Sequence, residues 1–236
     1  MSTYPLFYNM DYLLCMIPAL IVMMIAQISI SSAYKKWSRV AVSSGDTGAA
    51  AAQKLILRNN MENVQLRGVG GTLSDNYDPR TKTLNLSQAV AEQPSVASVA
   101  VAAHELGHAM QDREGYFPLR LRSLMAPAVG IGSYLGWILL AIGIALNYLQ
   151  LAWLGVAIFA VGFLFALATV PVEMNASARA RRMLQEAGIV RTEDEARGVN
   201  SVLNAAALTY IGALMQAVMQ LFYFVSLVGG MGRRRS

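Results

Sequence analysis

The chain has 236 residues, 55% of them hydrophobic and only 14% charged, with a formal net charge of +5. An average soluble domain carries about 25% charged residues, so this composition excludes that class. The single cysteine, Cys15, excludes an intrachain disulfide and a zinc cage built from thiolates.

The charges are segregated along the chain. Apart from Asp11, Arg233, Arg234 and Arg235, every charged residue falls within 35–122 or 173–197. The charge-free stretches 12–34, 123–172 and 198–232 are each long enough to cross a bilayer, for which about 20 apolar residues suffice. This pattern predicts a polytopic membrane protein. Its expected parts are an N-terminal transmembrane anchor (1–34), a cytosolic segment (35–122), a transmembrane hairpin (123–172), a cytosolic helix (173–200) and a C-terminal membrane helix with a basic tail (201–236).

The first span, LLCMIPALIVMMIAQISISSA, has no positive charge before it, whereas Lys35, Lys36 and Arg39 follow it directly. A secretory signal has the opposite order, so a retained anchor is expected, its N-terminus outside and its C-terminal flank in the cytoplasm. SGDTGAAAAQKLILRNN then reads as a helix capped by Ser44 or Asp46. NVQLRGV alternates as a strand does, and LSDNYDPRTKTLNLS reads as two short strands around Asp78, Pro79 and Arg80. The expected sheet is short and antiparallel.

After Pro94 an alanine-rich helix carries VAAHELGHAMQ, which holds both histidines of the chain, His104 and His108, with Glu105 between them. Residues four apart lie on one helix face, so the two imidazoles address one point. This H-E-x-x-H arrangement is that of zinc hydrolases: two nitrogen ligands and a glutamate beside metal-activated water. The same residues would also serve a non-catalytic membrane scaffold or adaptor with a structural zinc site, although nothing removes Glu105.

The hairpin is expected as 127–146 and 149–170, turning at Asn147 and Tyr148, with Gly132, Gly136, Gly155 and Gly162 permitting close helix approach. Arg120 and Arg122 precede it and Arg179, Arg181 and Arg182 follow it, so both ends read as cytoplasmic. Between them stands Glu173, in TVPVEMNASARARRMLQEAG, where Pro171 can begin a helix. Without a third histidine, a catalytic zinc needs a carboxylate, and the candidates are Glu92, Asp112, Glu114, Glu173, Glu186 and the cluster 193–195. Glu173 stands apart because a carboxylate beside an apolar span is costly unless it faces a partner. A carboxylate stabilising a helix N-terminus is the competing reading. Residues 198–232 either cross once, leaving the terminal arginines outside against the positive-inside bias, or fold back as a re-entrant element.

YDPRTKTLNLS, VAAHELGHAMQ, PVEMNASARA and VLNAAALTY, in this order between apolar spans, resemble the YugP-type bacterial membrane zinc metallopeptidases. The resemblance covers nearly the whole chain. It implies a mainly α membrane protein with about four transmembrane helices and a small α+β zincin-like cytosolic domain. It also implies a gluzincin-like site in a multi-pass bacterial plasma-membrane protein, facing the cytoplasm, in which Glu173 joins His104 and His108 on one zinc ion. More distantly similar membrane peptidases carry E-x-x-A-D after the zinc helix; here Ser177 replaces the aspartate, and Asn175 or Ser177 would orient a histidine.

In that setting Glu105 would be the general base in hydrolysis of a peptide or protein substrate associated with the membrane. Tyr210 is the candidate second oxyanion donor. Thr83, Leu84, Asn85 and Leu86 are the candidate strand edge for an extended substrate. The basic residues flank membrane spans, so lipid is the expected partner rather than nucleic acid. No pattern specifies a subunit contact.

Overall fold

The computed structural model describes residues 10–71 and 74–233. Residues 1–9, the loop residues Thr72 and Leu73, and the tail residues 234–236 lie outside the described part. The protein is mainly helical, in the order α1 (Met10–Trp37), α2 (Gly48–Arg58), β1 (Gln65–Val69), β2 (Asn76–Asp78), β3 (Thr83–Ser87), α3 (Gln88–Glu92), α4 (Val96–Arg113), α5 (Phe117–Ala145), α6 (Leu149–Glu186) and α7 (Glu193–Arg233). Among the described residues, four helices are long and apolar enough to cross a membrane: α1, α5, α6 and α7.

The chain divides into two compact units. The apolar unit takes residues 10–25, 120–170 and 210–233 from the described part. It exposes many large apolar side chains, including Leu20, Ile131, Leu164 and Phe222, which suits lipid rather than water. Its interior centres on Leu140, Ala152, Val156, Phe224 and Val228. Trp137 meets Phe224 edge to face with ring centroids 4.8 Å apart. α5 and α6 turn into each other at Asn147, whose φ of 52° uses the left-handed tolerance of asparagine. A methyl on Gly155 would stand 2.9 Å from the Gly136 carbonyl oxygen, so these two glycines let the hairpin helices touch. Gly143 does the same opposite Ala152, whereas Gly162 has open space beside it.

The second unit comprises residues 26–119 and 171–209. Its core gathers Leu55, Ile56, Leu84, Leu86, Leu106, Leu184 and Leu203 around the alanines of α2 and α4. The helix α2 is capped by Thr47, whose hydroxyl accepts from the Ala50 amide at 3.2 Å. Ser44 and Asp46 therefore lie just before the cap, and Asp46 instead holds Lys54 at 2.6 Å.

The sheet corrects the expected antiparallel arrangement. Its order is β1-β3-β2, with β1 parallel to β3 and β2 antiparallel to it. The loop after β1 carries the chain to the far edge, and the β2–β3 hairpin then brings β3 back beside β1 in the same direction. Thr83, Leu84 and Asn85 are thus paired on both sides, and Leu86 is paired with Gly68 of β1. The expected free edge does not exist at Thr83, Leu84 and Asn85 because β3 is the central strand, and Leu86 is paired on the β1 side alone. β1 is an outer strand, and four of its five residues are exposed rather than alternating.

Two helix boundaries also differ from expectation. α6 runs unbroken through Pro171, so Glu173 is not in the first turn of a helix. The missing proline donor costs one backbone bond, while the buried Val172, Ala176 and Ala180 hold the following turns in place. α7 is likewise one unbroken helix across residues 198–232, without a fold-back. It starts with a reciprocal capping box: the Glu195 amide donates to Thr192 Oγ1 at 3.2 Å and the Thr192 amide to Glu195 Oε2 at 3.0 Å. The same buried carboxylate accepts from the amides of Arg191 at 2.8 Å and Ser43 at 2.5 Å. Glu195→Ala is therefore expected to cost about 1–3 kcal/mol, read as a lower unfolding midpoint, while zinc content stays the same.

Candidate metal centre

Helix α4 begins at Ser95, whose hydroxyl accepts from the Ser98 amide at 3.1 Å. From that cap as far as Ala103 the helix is alanine, valine and serine, and Ala97, Ala100, Ala103 and Leu106 are fully enclosed. His104 and His108 stand on one face with ring centroids 4.9 Å apart and planes at 86°. Facing them is Glu173 on α6, only 2% exposed.

The approach of α6 to α4 depends on Gly107. A methyl group at this position would lie 2.5 Å from the Ala176 carbonyl oxygen and 3.0 Å from its Cα. Gly107 adjoins His108, and Ala176 follows Glu173 by one helical turn, so this backbone contact sets the depth at which the carboxylate meets the imidazoles. His104 Nε2 is 3.1 Å and His108 Nε2 3.5 Å from Glu173 Oε2. A tetrahedral zinc with bonds of about 2.0–2.1 Å has ligand–ligand edges of about 3.3 Å, which both separations straddle. The donor atoms of His104, His108 and Glu173 all lie within 4.8 Å of one another.

The outer nitrogens of both rings are engaged, which leaves each Nε2 for a metal. Ser177 Oγ is 3.2 Å from His104 Nδ1, and Gln111 Oε1 is 3.0 Å from His108 Nδ1. With Nδ1 donating in each case, Nε2 carries the free lone pair. Gln111 is fully buried, and its amide nitrogen donates to Val172 O at 2.8 Å and Asn175 Oδ1 at 3.0 Å. Asn175 also accepts from Arg179 Nε at 2.7 Å, and Arg179 pairs with Glu114 at 2.7 Å. That guanidinium holds the Glu114 carboxyl below its usual range.

The charges fit a dication. Without a metal the buried Glu173 carboxylate draws a proton towards the facing rings, whereas one divalent ion would balance Glu173 and Glu105 with both imidazoles neutral. Burial pushes the Glu105 carboxyl up; the imidazoles of His104 and His108 oppose this, Glu173 adds to it, and the Tyr77 amide opposes it. For His108, burial favours the neutral ring, but the facing carboxylates outweigh it and raise its pKa. Tyr77 N–H donates to Glu105 Oε2 at 3.0 Å.

The other carboxylates considered for the metal are used elsewhere or face solvent. Asp112 accepts from Tyr77 Oη at 2.7 Å and Lys82 Nζ at 2.5 Å. Glu92 accepts from Gln88, Glu186 is exposed, Asp194 pairs with Arg197, and Glu195 caps α7. Tyr210 belongs to the apolar unit. Gly107, Gln111 and Tyr77 were not singled out from the sequence. A glycine interrupting an alanine-rich helix, and an amide one turn after the second histidine, are the signals that point to the first two.

Two histidines and a buried glutamate converge on one point and could hold a metal ion, in a chain with four membrane-length helices. Residues 12–229 match the family described as "putative neutral zinc metallopeptidase", and the chain belongs to that family. The "putative membrane protease YugP" of Bacillus subtilis (strain 168) is 40% identical over 200 residues, covering 85% of this chain and 88% of that protein. No solved structure matches the chain. Zinc is the metal of this family, and the buried group of His104, His108 and Glu173 can hold one ion.

Gly107→Ala tests the helix contact. Alanine favours an isolated helix by about 1 kcal/mol, but the overlap with Ala176 must part the two backbones at a typical cost of about 1–3 kcal/mol. The expected result is a lower unfolding midpoint together with weaker zinc retention during dialysis against a chelator.

Proposed function

We propose that this protein hydrolyses peptide bonds at the cytoplasmic face of the bacterial plasma membrane, with one zinc ion held by His104, His108 and Glu173 in a gluzincin-type site. The convergence of both Nε2 atoms on the Glu173 carboxylate, with Glu105 on the adjoining residue of α4, is the observation that carries this reading. The second unit, 26–119 with 171–209, is then the zincin-like cytosolic part. Lys35, Lys36 and Arg39 after α1, and Arg179, Arg181 and Arg182 on α6, support that side by the positive-inside bias. A four-span path leaves the C-terminus outside.

Bound zinc would act as a Lewis acid, polarising the scissile carbonyl and lowering the pKa of water from about 16 towards about 7. The chain's residues perform the rest. Glu105 takes the proton as water attacks the carbonyl and returns it to the leaving amine. Burial raises its proton affinity, which suits a group that must both accept and give back a proton at neutral pH. Ser177 and Gln111 hold the two rings with Nε2 inward. Tyr210 is the proposed donor to the developing oxyanion, and Tyr210→Phe should lower turnover without releasing zinc.

β3 is internal, and the outer strand beside α4 is β2, whose Tyr77 amide is already donated to Glu105. Its Tyr77 backbone groups point away from β3, as the amide contact with Glu105 requires. The proposed substrate is a peptide or protein segment next to a membrane span.

Glu105→Gln keeps the shape and the ligands but removes the base. The purified variant should hold zinc one to one while turnover of a quenched fluorescent peptide falls about 100-fold or more. Unchanged turnover would reject the base, and absence of turnover by the unaltered chain would favour a structural zinc site. Glu173→Ala should lose zinc and activity together, whereas Asp112→Ala should keep zinc; metal analysis of the two purified variants distinguishes the ligand from its nearest rival.

A further inference from the structure

The residues around Asp112 form a cluster that metal binding leaves unused. Asp112 lies on α4 about two turns beyond Glu105, and its Oδ2 accepts from both Tyr77 Oη at 2.7 Å and Lys82 Nζ at 2.5 Å. Tyr77 sits on β2, and Lys82 ends the turn that joins β2 to β3. The backbone of Tyr77 turns its N–H away from β3 and donates it to Glu105 Oε2 at 3.0 Å. One residue is therefore attached to α4 at two points, through its amide to Glu105 and through its phenol to Asp112.

We propose that Tyr77, Asp112 and Lys82 act as a clamp that fixes the β2–β3 hairpin against α4 and so positions the Glu105 carboxylate through the Tyr77 amide. These are positioning residues, and the inference rests on Glu105 being the base. A carboxylate offers about four acceptor sites, so one amide can pin Oε2 while Oε1 remains for water. Pinning matters because misplacing a catalytic group by about 1 Å can cost about 100-fold in rate.

The backbone at Lys82 supports a role beyond stability. Its φ of 52° lies in the left-handed region, which is unfavourable for a residue with a side chain. Glycine would adopt it freely. The ion pair is also half open to solvent, with side-chain exposures of 41% and 21%, so it contributes little to stability. A lysine in a backbone conformation suited to glycine, making only a weak surface pair, fits a role for its ammonium in holding the hairpin in place.

Lys82→Gly separates the two readings because it relaxes the backbone while removing the ammonium. The test uses the full chain in detergent with zinc bound, comparing Lys82→Gly, Lys82→Arg and Tyr77→Phe with the unaltered protein. Amide hydrogen exchange at Tyr77 should quicken about fivefold to tenfold in Lys82→Gly and Tyr77→Phe. Their kcat on the quenched peptide should fall about tenfold to 100-fold with little change in KM or zinc content. Lys82→Arg, which keeps the charge, should recover most of both. Unchanged exchange at Tyr77 in the two disruptive variants would overturn the clamp, as would a loss of turnover that merely follows lost zinc or lost folded protein. If the unaltered chain turns over no peptide, the proposed function fails, and the exchange measurement still decides whether the clamp holds the amide that faces Glu105.

Discussion

The centre depends on one backbone contact. Gly107 of α4 lies against Ala176 of α6 so closely that a single added methyl would reach the carbonyl oxygen opposite. Each residue adjoins the donor set on its own helix: Gly107 precedes His108, and Ala176 lies one turn past Glu173. The geometry of three separate side chains thus follows from one interhelical distance. Longer side chains elsewhere on α4 would have kept the helices apart, so the surrounding alanines are part of the same device.

The polar groups behind the ligands also come from these two helices. Gln111 on α4 reaches Asn175 and the Val172 carbonyl on α6, while Ser177 on α6 reaches back to His104 on α4. The hydrogen bonds run in both directions across the contact. Each ring is therefore oriented by a group whose place depends on the same crossing. The serine at position 177 brings an oxygen to the imidazole without adding another negative charge to a site that already holds Glu105 and Glu173.

The local parts of this arrangement were legible in the sequence. Spacing of four within a helix fixes a common face, so His104, Glu105 and His108 could be read together. The segregation of charge exposed the membrane-length helices. Glu173 was conspicuous as an isolated carboxylate beside an apolar run, although the reason attached to Pro171 was mistaken, since α6 continues through it. What was hidden is non-local. Strand order depends on where the loop after β1 delivers the chain, and no alternation within NVQLRGV encodes it. Gln111 looked like any amide on a helix because its role depends on side-chain direction and on partners 61 and 64 residues away.

The continuity of α6 carries a further consequence for synthesis. Its residues run from Leu149 within the apolar unit to Glu186 in the other, with Glu173 in the latter part. Both imidazoles and Glu105 leave the ribosome before the hairpin, and the carboxylate only after it. A chain stopped between residues 108 and 173 therefore holds both histidines and the adjoining glutamate but not the carboxylate that faces them. Order along the chain thus keeps the candidate site incomplete until α5 and the apolar part of α6 have been made, while α7 is still to come.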